Sequence, residues 1–250
     1  MSPIVWRVEH FDEIDSTNTY LKKQAGDEEA EGLVALADFQ SSGRGRLDRE
    51  WVSPPRASLL CSILLRPRLD ASQLQLVVAA VALATRTALE RLCGLRPQVK
   101  WPNDLVVGEN KLAGLLAEVV ETSSGFAVVV GLGVNLTYEG PEGVRATSVR
   151  SETGVTIVAR ALLDIVLEEI ETRRAQLDSS EGRATLRGEY TRALATLGQS
   201  VRVEQHNGSL VGVARGVDDA GQLLVEVDGV VRTFGVGDVV HVRPSEVGLR

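Results

Sequence analysis

Ser42-Gly43-Arg44-Gly45-Arg46 is followed by Lys100-Trp101-Pro102-Asn103-Asp104 and Lys111-Leu112-Ala113-Gly114, three cationic segments on Gly- or Pro-bearing backbone between residues 42 and 114. The chain around them is acidic, with a net charge of −7. Local positive charge on flexible backbone in an acidic protein points to a pocket for one polyanionic ligand, whereas a general nucleic-acid surface would make the whole domain basic. Gly43 and Gly45 let the backbone approach a ligand and present N–H groups to an anion. Arg44 and Arg46 add planar donors that stay charged, and Gln40, Ser41 and Ser42 add neutral polar atoms. No Gly-Lys-Ser/Thr closes the loop, so it is not a Walker loop. On composition alone a solvated flexible loop accounts for it equally well.

The 250 residues, 44% hydrophobic, are ample for a core and allow a large domain with a small one beside it. The acidic balance argues against bulk binding to DNA or anionic membrane. Cys61 and Cys93 sit in apolar runs and read as buried thiols. His10, His206 and His241 are scattered, and no Cys–His spacing suggests zinc. Met1 to Arg7 lacks the apolar segment of a signal peptide, and no run reaches the roughly 18 apolar residues of a membrane helix. The expected location is the cytoplasm, without membrane contact.

Working outward from the loop, the flanking patterns predict alternating strands and helices. Val5–Ile14 reads as a strand, Asp15-Ser16-Thr17-Asn18 as a helix cap, and Asn18–Ala25 as a short helix. Leu33–Phe39 and Leu59–Leu65 read as strands, and Ala71–Cys93 as a helix apolar nearly all round. Val99–Val107 is strand material interrupted by Pro102. Gly108-Glu109-Asn110 marks a hairpin, and Leu112–Val120 and Gly125–Val134 read as paired strands. The last of these, or a neighbour, is a candidate for pairing across a dimer, with monomer and homodimer both open. Thr156–Gln176 and Gly182–Leu197 follow as helices.

From there the pattern changes. Val201–Val203, Leu210–Val213, Leu223–Val227, Val230–Phe234 and Val239–Val242 are short runs separated by Asn207-Gly208, Asp219-Ala220-Gly221, Asp228-Gly229 and Gly237-Asp238. Such spacing predicts a small antiparallel barrel. The boundary falls near Leu197-Gly198, giving a larger unit over 1–197, expected to carry the chemistry-bearing segments, and a barrel over 198–250.

Each chemical segment also has a plain structural account. Pro102 pushes Trp101 toward extended geometry. The turn behind it could present Lys100, Asn103 and a carboxylate to phosphate and magnesium, or be an ordinary turn with Trp101 as a core anchor. Lys111 could bridge a carboxylate and a phosphoryl group, or snorkel from a strand edge. Gly131-Leu132-Gly133-Val134-Asn135 lacks the third glycine of a dinucleotide fingerprint, since Leu136 stands there, and reads instead as a glycine turn that aims Asn135 into a site.

In this order the chain resembles the biotin protein ligases. The resemblance rests on Asp15-Ser16-Thr17-Asn18, on Gln40 with Gly43-Arg44-Gly45-Arg46 and Trp51, and on Lys100-Trp101-Pro102-Asn103-Asp104. Lys111-Leu112-Ala113-Gly114 and Gly131-Leu132-Gly133-Val134-Asn135 complete it. The set spans Ile14–Asn135 by motif and reaches the C-terminus by architecture. The resemblance implies an α+β fold. A mixed sheet packed with helices, like that of class II aminoacyl-tRNA synthetases and biotinyl ligases, is followed by an SH3-like barrel. It also implies synthesis of biotinyl-5′-adenylate from biotin and ATP with Mg2+, then transfer of biotin to a lysine of a biotin carboxyl carrier protein domain. Fixed cations and backbone donors would offset the repulsion between carboxylate and α-phosphate.

Carried over by resemblance, Ser16, Thr17, Asn18 and Gln40 line the biotin ring. Gly43, Arg44, Arg46 and Lys111 also contact biotin, with Arg44 ordering over the adenylate and Arg46 touching carboxylate or phosphate, and Gly114 and Gly133 lie against biotin. Lys111 touches both carboxylate and α-phosphate, with Arg44 and Arg46 as further catalytic cations. Arg46, Trp51, Lys100, Asn103 and Asn135 serve the nucleotide, and Asp104 either holds magnesium or orients a lysine. A loop that closes protects the adenylate from water, so it is expected to be mobile without ligand and ordered with it.

Asp48 stands where the family commonly has glycine, which bears on the loop's flexibility and its affinity for phosphate. The fourteen or so residues before the first motif cannot hold a helix-turn-helix, so no DNA binding is expected. A lipoate–protein ligase shares the fold and the adenylate logic. A nucleic-acid-binding regulator is disfavoured by the charge and by only 4% aromatic residues. A module using the barrel alone leaves the motif set unexplained.

Overall fold

The structure is a computed structural model and describes residues 3–27, 29–47, 49–123, 125–205, 208–235 and 238–241. Asp48, His206, Asn207, Gly237, Val242 and the tail to Arg250, all of which entered the expectations above, lie outside the described residues.

The larger sheet and its helices begin with β1 (Arg7–Phe11), α1 (Thr17–Gly26), β2 (Leu33–Ala37), β3 (Ser58–Leu65) and α2 (Leu74–Cys93). They continue through β4 (Gln98–Lys100), β5 (Asp104–Val107), β6 (Asn110–Thr122) and β7 (Gly125–Asn135) to α3 (Val149–Thr153), α4 (Ala159–Leu177) and α5 (Ser180–Ala193). The strands form one sheet in the order β1-β2-β3-β7-β6-β5-β4, parallel between β1 and β2 and antiparallel elsewhere. This is the expected mixed sheet.

Period-two alternation divides its faces. Leu59, Cys61, Ile63 and Leu65 of β3 and Val128, Val130, Leu132 and Val134 of β7 pack with α2 and α4 in the main core. The opposite face is covered at one end by Leu21 and Ala25 of α1 against Leu33, Ala35, Leu64 and Val129. Beyond α1 that face stays open, and the period-two alternation of β7 puts Gly131, Gly133 and Asn135 there together, on a strand that runs through to Asn135 where a glycine turn was expected.

Boundaries moved where tertiary pairing outweighed local pattern. α5 ends at Ala193 because Leu194 is extended and bridges Val99, with Ala195 N–H donating to the Val99 carbonyl at 2.8 Å. The residues Ala71–Gln73 form a 3-10 turn ahead of α2. α3 was not expected. Ser148 caps it by accepting from Ser151 N–H, and Gly154 ends it at φ 73°. β7 is interior, with β3 on one side and β6 on the other, so it has no free edge for a dimer. That corrects the candidate given above.

β8 (Ser200–Gln205), β9 (Gly208–Val217), β10 (Leu223–Val227), β11 (Val230–Phe234) and β12 (Asp238–His241) form a second, antiparallel sheet in the order β11-β10-β9-β8-β12. This is the small five-stranded unit that the turn spacing predicts. Asp228 and Gly229, at φ 51° and 78°, make the two-residue hairpin turn that right-handed strand twist favours. Among the described residues no helix is long and apolar enough to cross a membrane.

Candidate active site

The open half of the sheet face is the floor of a cleft of about 430 Å3. Its rows follow from register: Ser62 pairs with Gly131 and Gly131 with Leu116, then Leu60 with Gly133 and Gly133 with Gly114. Two directly opposed glycines, Gly114 and Gly133, make a flat shelf. Backbone without side chains lets something planar lie close.

At the α1 end the floor is polar. Ser16 caps α1, and the helix start turns Thr17 and Asn18 inward, where all three are buried. Gln40 Oε1 accepts from Thr17 N–H at 2.8 Å and lies 3.0 Å from Thr17 Oγ1. Ser62 donates to Asn18 Oδ1 at 2.5 Å and is 2.7 Å from Thr17 Oγ1. Asn18 Nδ2 donates to the Leu116 carbonyl at 3.2 Å and to Glu118 at 2.9 Å. A Cβ at Gly131 would collide with Asn18 Oδ1, so glycine is what admits this amide.

The glycine–arginine loop folds back on itself over the cleft. Trp51 N–H donates to the Gly43 carbonyl at 3.0 Å and Gly45 N–H to the Arg49 carbonyl at 2.6 Å. A Cβ on Gly43 would stand 2.6 Å from the Trp51 carbonyl, so the return of the loop needs glycine at that point. The arginines straddle the cleft. Arg46 Nη1 donates to Asn103 Oδ1 at 3.3 Å, on the side of the Lys-Trp-Pro-Asn turn. Arg44 Nη2 donates to Thr19 of α1 at 2.8 Å and lies 3.8 Å from Glu118.

That turn is held from behind. Trp101 is 1% exposed, and its indole donates to the Gly221 carbonyl of the barrel unit at 3.1 Å, so the core-anchor account of this residue holds. Gln75 donates to the Pro102 carbonyl at 2.6 Å. Asn103 is locked to β6 through Leu115, giving 2.6 Å to its carbonyl and taking 2.9 Å from its N–H. Lys100 lines the cleft beside it.

Lys111 and Asp104 face each other at 2.7 Å. The contact is an ion pair, for Asp104 Oδ1 is buried and receives no well-directed hydrogen bond. Of the two roles left open for Asp104, orienting a lysine is the one with a partner in place. Among the described residues no three Asp, Glu, His or Cys side chains cluster for a metal. A divalent cation here would be held by phosphate oxygens and water, with Asp104 as the carboxylate at hand. The Lys111 ammonium also lies 5.5 Å from the centre of the Trp51 ring.

Trp51 itself covers the glycine shelf. Its ring atoms stand 2.6 and 2.7 Å from where a Cβ of Gly133 would be, and 3.1 Å from that of Gly114. Expected beside a nucleotide, the indole instead lies where the resemblance puts biotin. Asn135, also expected beside the nucleotide, is buried and donates to the Thr147 carbonyl at 3.0 Å. Burial pushes the Cys61 thiol up to about 12, which removes it as a nucleophile.

Sequence reading missed Ser62, Glu118 and Thr19. Ser62 is a polar residue in the middle of an apolar strand, and Glu118 a carboxylate inside the run Leu112–Val120. Those interruptions were the available signals.

The chain is similar to known ligases in sequence and in fold. Residues 10–135 match the biotin/lipoate A/B protein ligase family, and residues 196–242 match the biotin protein ligase C-terminal domain. The biotin–[acetyl-CoA-carboxylase] ligase of Mycobacterium tuberculosis is 35% identical, over 91% of this chain and 86% of its own length. Its counterpart from Paracoccus denitrificans is 35% identical over 84% and 90%. A solved biotin protein ligase from Aquifex aeolicus, in complex with biotin and ATP, superimposes with a TM-score of 0.82 at 27% identity, covering 95% of this chain and 99% of that one.

Proposed function

The chain belongs to the biotin protein ligases, within the biotin/lipoate A/B protein ligase family, and from that premise we propose that it makes biotinyl-5′-adenylate and passes the biotinyl group to a carrier lysine. The acceptor is a lysine of a carboxylase's biotin carboxyl carrier domain, by analogy with the relatives' names. The observation that carries the reading is the Lys111–Asp104 pair beside the Gly114–Gly133 shelf, at 2.7 Å, with the arginine loop folded above it.

In the first step an oxygen of the biotin carboxylate attacks the α-phosphorus of ATP, and the bond to pyrophosphate breaks. Both reactants are anions, so the barrier is largely electrostatic. Lys111 supplies fixed charge at the junction, and Asp104 holds its ammonium there. Arg46 and Asn103, already joined, with Lys100, serve the nucleotide side. Magnesium enters with ATP as part of that substrate and neutralises phosphate charge. In the second step the acceptor amine attacks the acyl carbon and AMP leaves.

The polar end built from Ser16, Thr17, Asn18, Gln40 and Ser62 offers donors and acceptors suited to a ureido ring, and the glycine shelf suits an acyl chain. A ligand seated on Gly133 and the Trp51 indole exclude each other there. The loop then closes over the adenylate and keeps water out.

The test is ATP–pyrophosphate exchange with biotin, lipoate or octanoate, on wild type and on Lys111→Ala. Exchange with biotin alone, lost in the variant, is the expected result. Exchange with lipoate instead would reassign the substrate, and no exchange with any acid would refute adenylation.

A further inference from the structure

Glu118 gathers more charge than any role so far gives it. It lies on the same face of β6 as Gly114 and Leu116, four and two residues after them, at the end of the cleft floor where α1 begins to cover the sheet. Three side chains converge on its carboxylate: Lys22 Nζ at 2.7 Å, Asn18 Nδ2 at 2.9 Å and Arg44 Nη2 at 3.8 Å. Lys22 and Thr19 are one turn apart on α1, so they share a face. Arg44 therefore reaches across the mouth of the cleft to a spot where a hydroxyl receives it and a lysine stands close by. Only the carboxylate makes that spot favourable for a second cation.

We propose that Glu118 is the latch of the glycine–arginine loop, holding Arg44 against α1 so that the loop stays over the cleft and retains the adenylate. Glu118 is a positioning residue, acting through Arg44 rather than on the substrate. The retention role rests on the acyl-adenylate reading, whereas the latch itself does not.

Replacing Glu118 does more than remove an attraction. It leaves Lys22 and Arg44 as neighbouring like charges, which drives Arg44 off. The contact is partly exposed, with Arg44 at 45% and Glu118 at 22%, so the expected effect is modest, about three- to fivefold. Lys22→Met leaves the Arg44–Glu118 contact intact and is the control. Arg44→Gln attacks the contact from the loop side without touching β6.

Two readouts separate the parts. Brief trypsin digestion reports whether Arg44 is held, independently of any chemistry. Chasing preformed radiolabelled biotinyl-5′-adenylate with unlabelled compound reports retention. Glu118→Gln should be cut after Arg44 about three- to fivefold faster and release the adenylate faster by a similar factor, with Lys22→Met like wild type. Glu118→Gln combined with Arg44→Gln should release adenylate no faster than Arg44→Gln alone. Unchanged cleavage in Glu118→Gln, an equal defect in Lys22→Met, or additive release rates would each overturn the latch. Faster cleavage with unchanged release would overturn its retention role. Faster cleavage with no adenylate formed by wild type would place the failure in the adenylate reading and leave the latch standing.

Discussion

The contact between Trp51 and Gly133 makes a quantitative prediction for Gly133→Ala. The added methyl would stand 2.6 Å from Trp51 Cε2 and 2.7 Å from Cζ2. Carbon atoms rest about 3.5–4.0 Å apart, so the overlap is roughly 1 Å. Gly133 is in a β-strand and not at positive φ, so alanine costs nothing in backbone terms and would by itself slightly favour the strand. The whole penalty is therefore steric. The ring is also packed over Gly114 and its backbone is tied to Gly43, so relieving the overlap means lifting the indole off the glycine shelf. Overpacking of this kind costs about 1–3 kcal/mol. For a chain of this length that lowers the melting temperature by roughly 2–4 °C per kcal/mol. The assay is thermal or urea denaturation of wild type, Gly133→Ala, Trp51→Ala and the double variant. In the Trp51→Ala background the alanine should cost nothing, giving a coupling of about 1–3 kcal/mol. Equal cost in both backgrounds, or no cost in either, would refute the claim that the indole is what requires glycine at 133.

Three further outcomes are expected. With its thiol pushed up to about 12 by burial, Cys61 should resist Ellman's reagent at pH 8 until the chain is denatured, leaving the half-buried Cys93 to react first; one fast-reacting thiol on the native protein and two after denaturation is the checking count. Burial alone would push the Glu118 carboxyl up, but hydrogen bonds from Lys22 and Asn18 and the charges of Lys22 and Arg44 hold it below the usual range. A carboxyl depressed in the folded state contributes stability above its unfolded pKa of about 4.3 and loses it as pH falls through the folded value. The melting-temperature gap between wild type and Glu118→Gln should thus be widest near pH 7 and close in acid, and a gap that widens toward pH 3 contradicts this. Arg174 is 4% exposed, pairs with Glu31 and Asp178 at 2.7 Å each, and donates to the Arg66 carbonyl at 2.9 Å. Arg174→Met should cost about 3 kcal/mol by leaving both carboxylates without their partner, measured as a urea-midpoint shift at unchanged slope.

What the sequence disclosed follows from which contacts are local. The Asp228-Gly229 hairpin, the cap at Ser16 and the break at Pro102 are set by residues within a few positions, and each stands where the pattern predicts. That Gly131, Gly133 and Asn135 belong to a site was legible, although the glycine turn expected there is a continuous strand, β7, whose alternation puts them on one face. Their partners were not legible. Ser62 meets Gly131, and Leu116 meets it from the other side, only because β3 and β6 pair with β7 in one particular register. A slip of one residue would send Ser62 into the core.

Trp51 shows the harder case. Its neighbours in the chain mark it as part of a polar, ligand-facing loop, and the resemblance assigns it to the nucleotide. The fold carries it across the cleft onto two strand glycines, one 63 and the other 82 residues downstream. Glu118 is similar: its neighbours in the chain give it no partner. What gives it meaning is that α1 crosses the sheet there, bringing Lys22 and Asn18 down onto β6 while the loop delivers Arg44 from above. The glycines and cations that bear the chemistry are visible in the chain because their residue types are unusual where they stand. The residues that position them are ordinary in type and become specific only through register and crossing, which is why Arg44 could be selected from the sequence and its partner Glu118 could not.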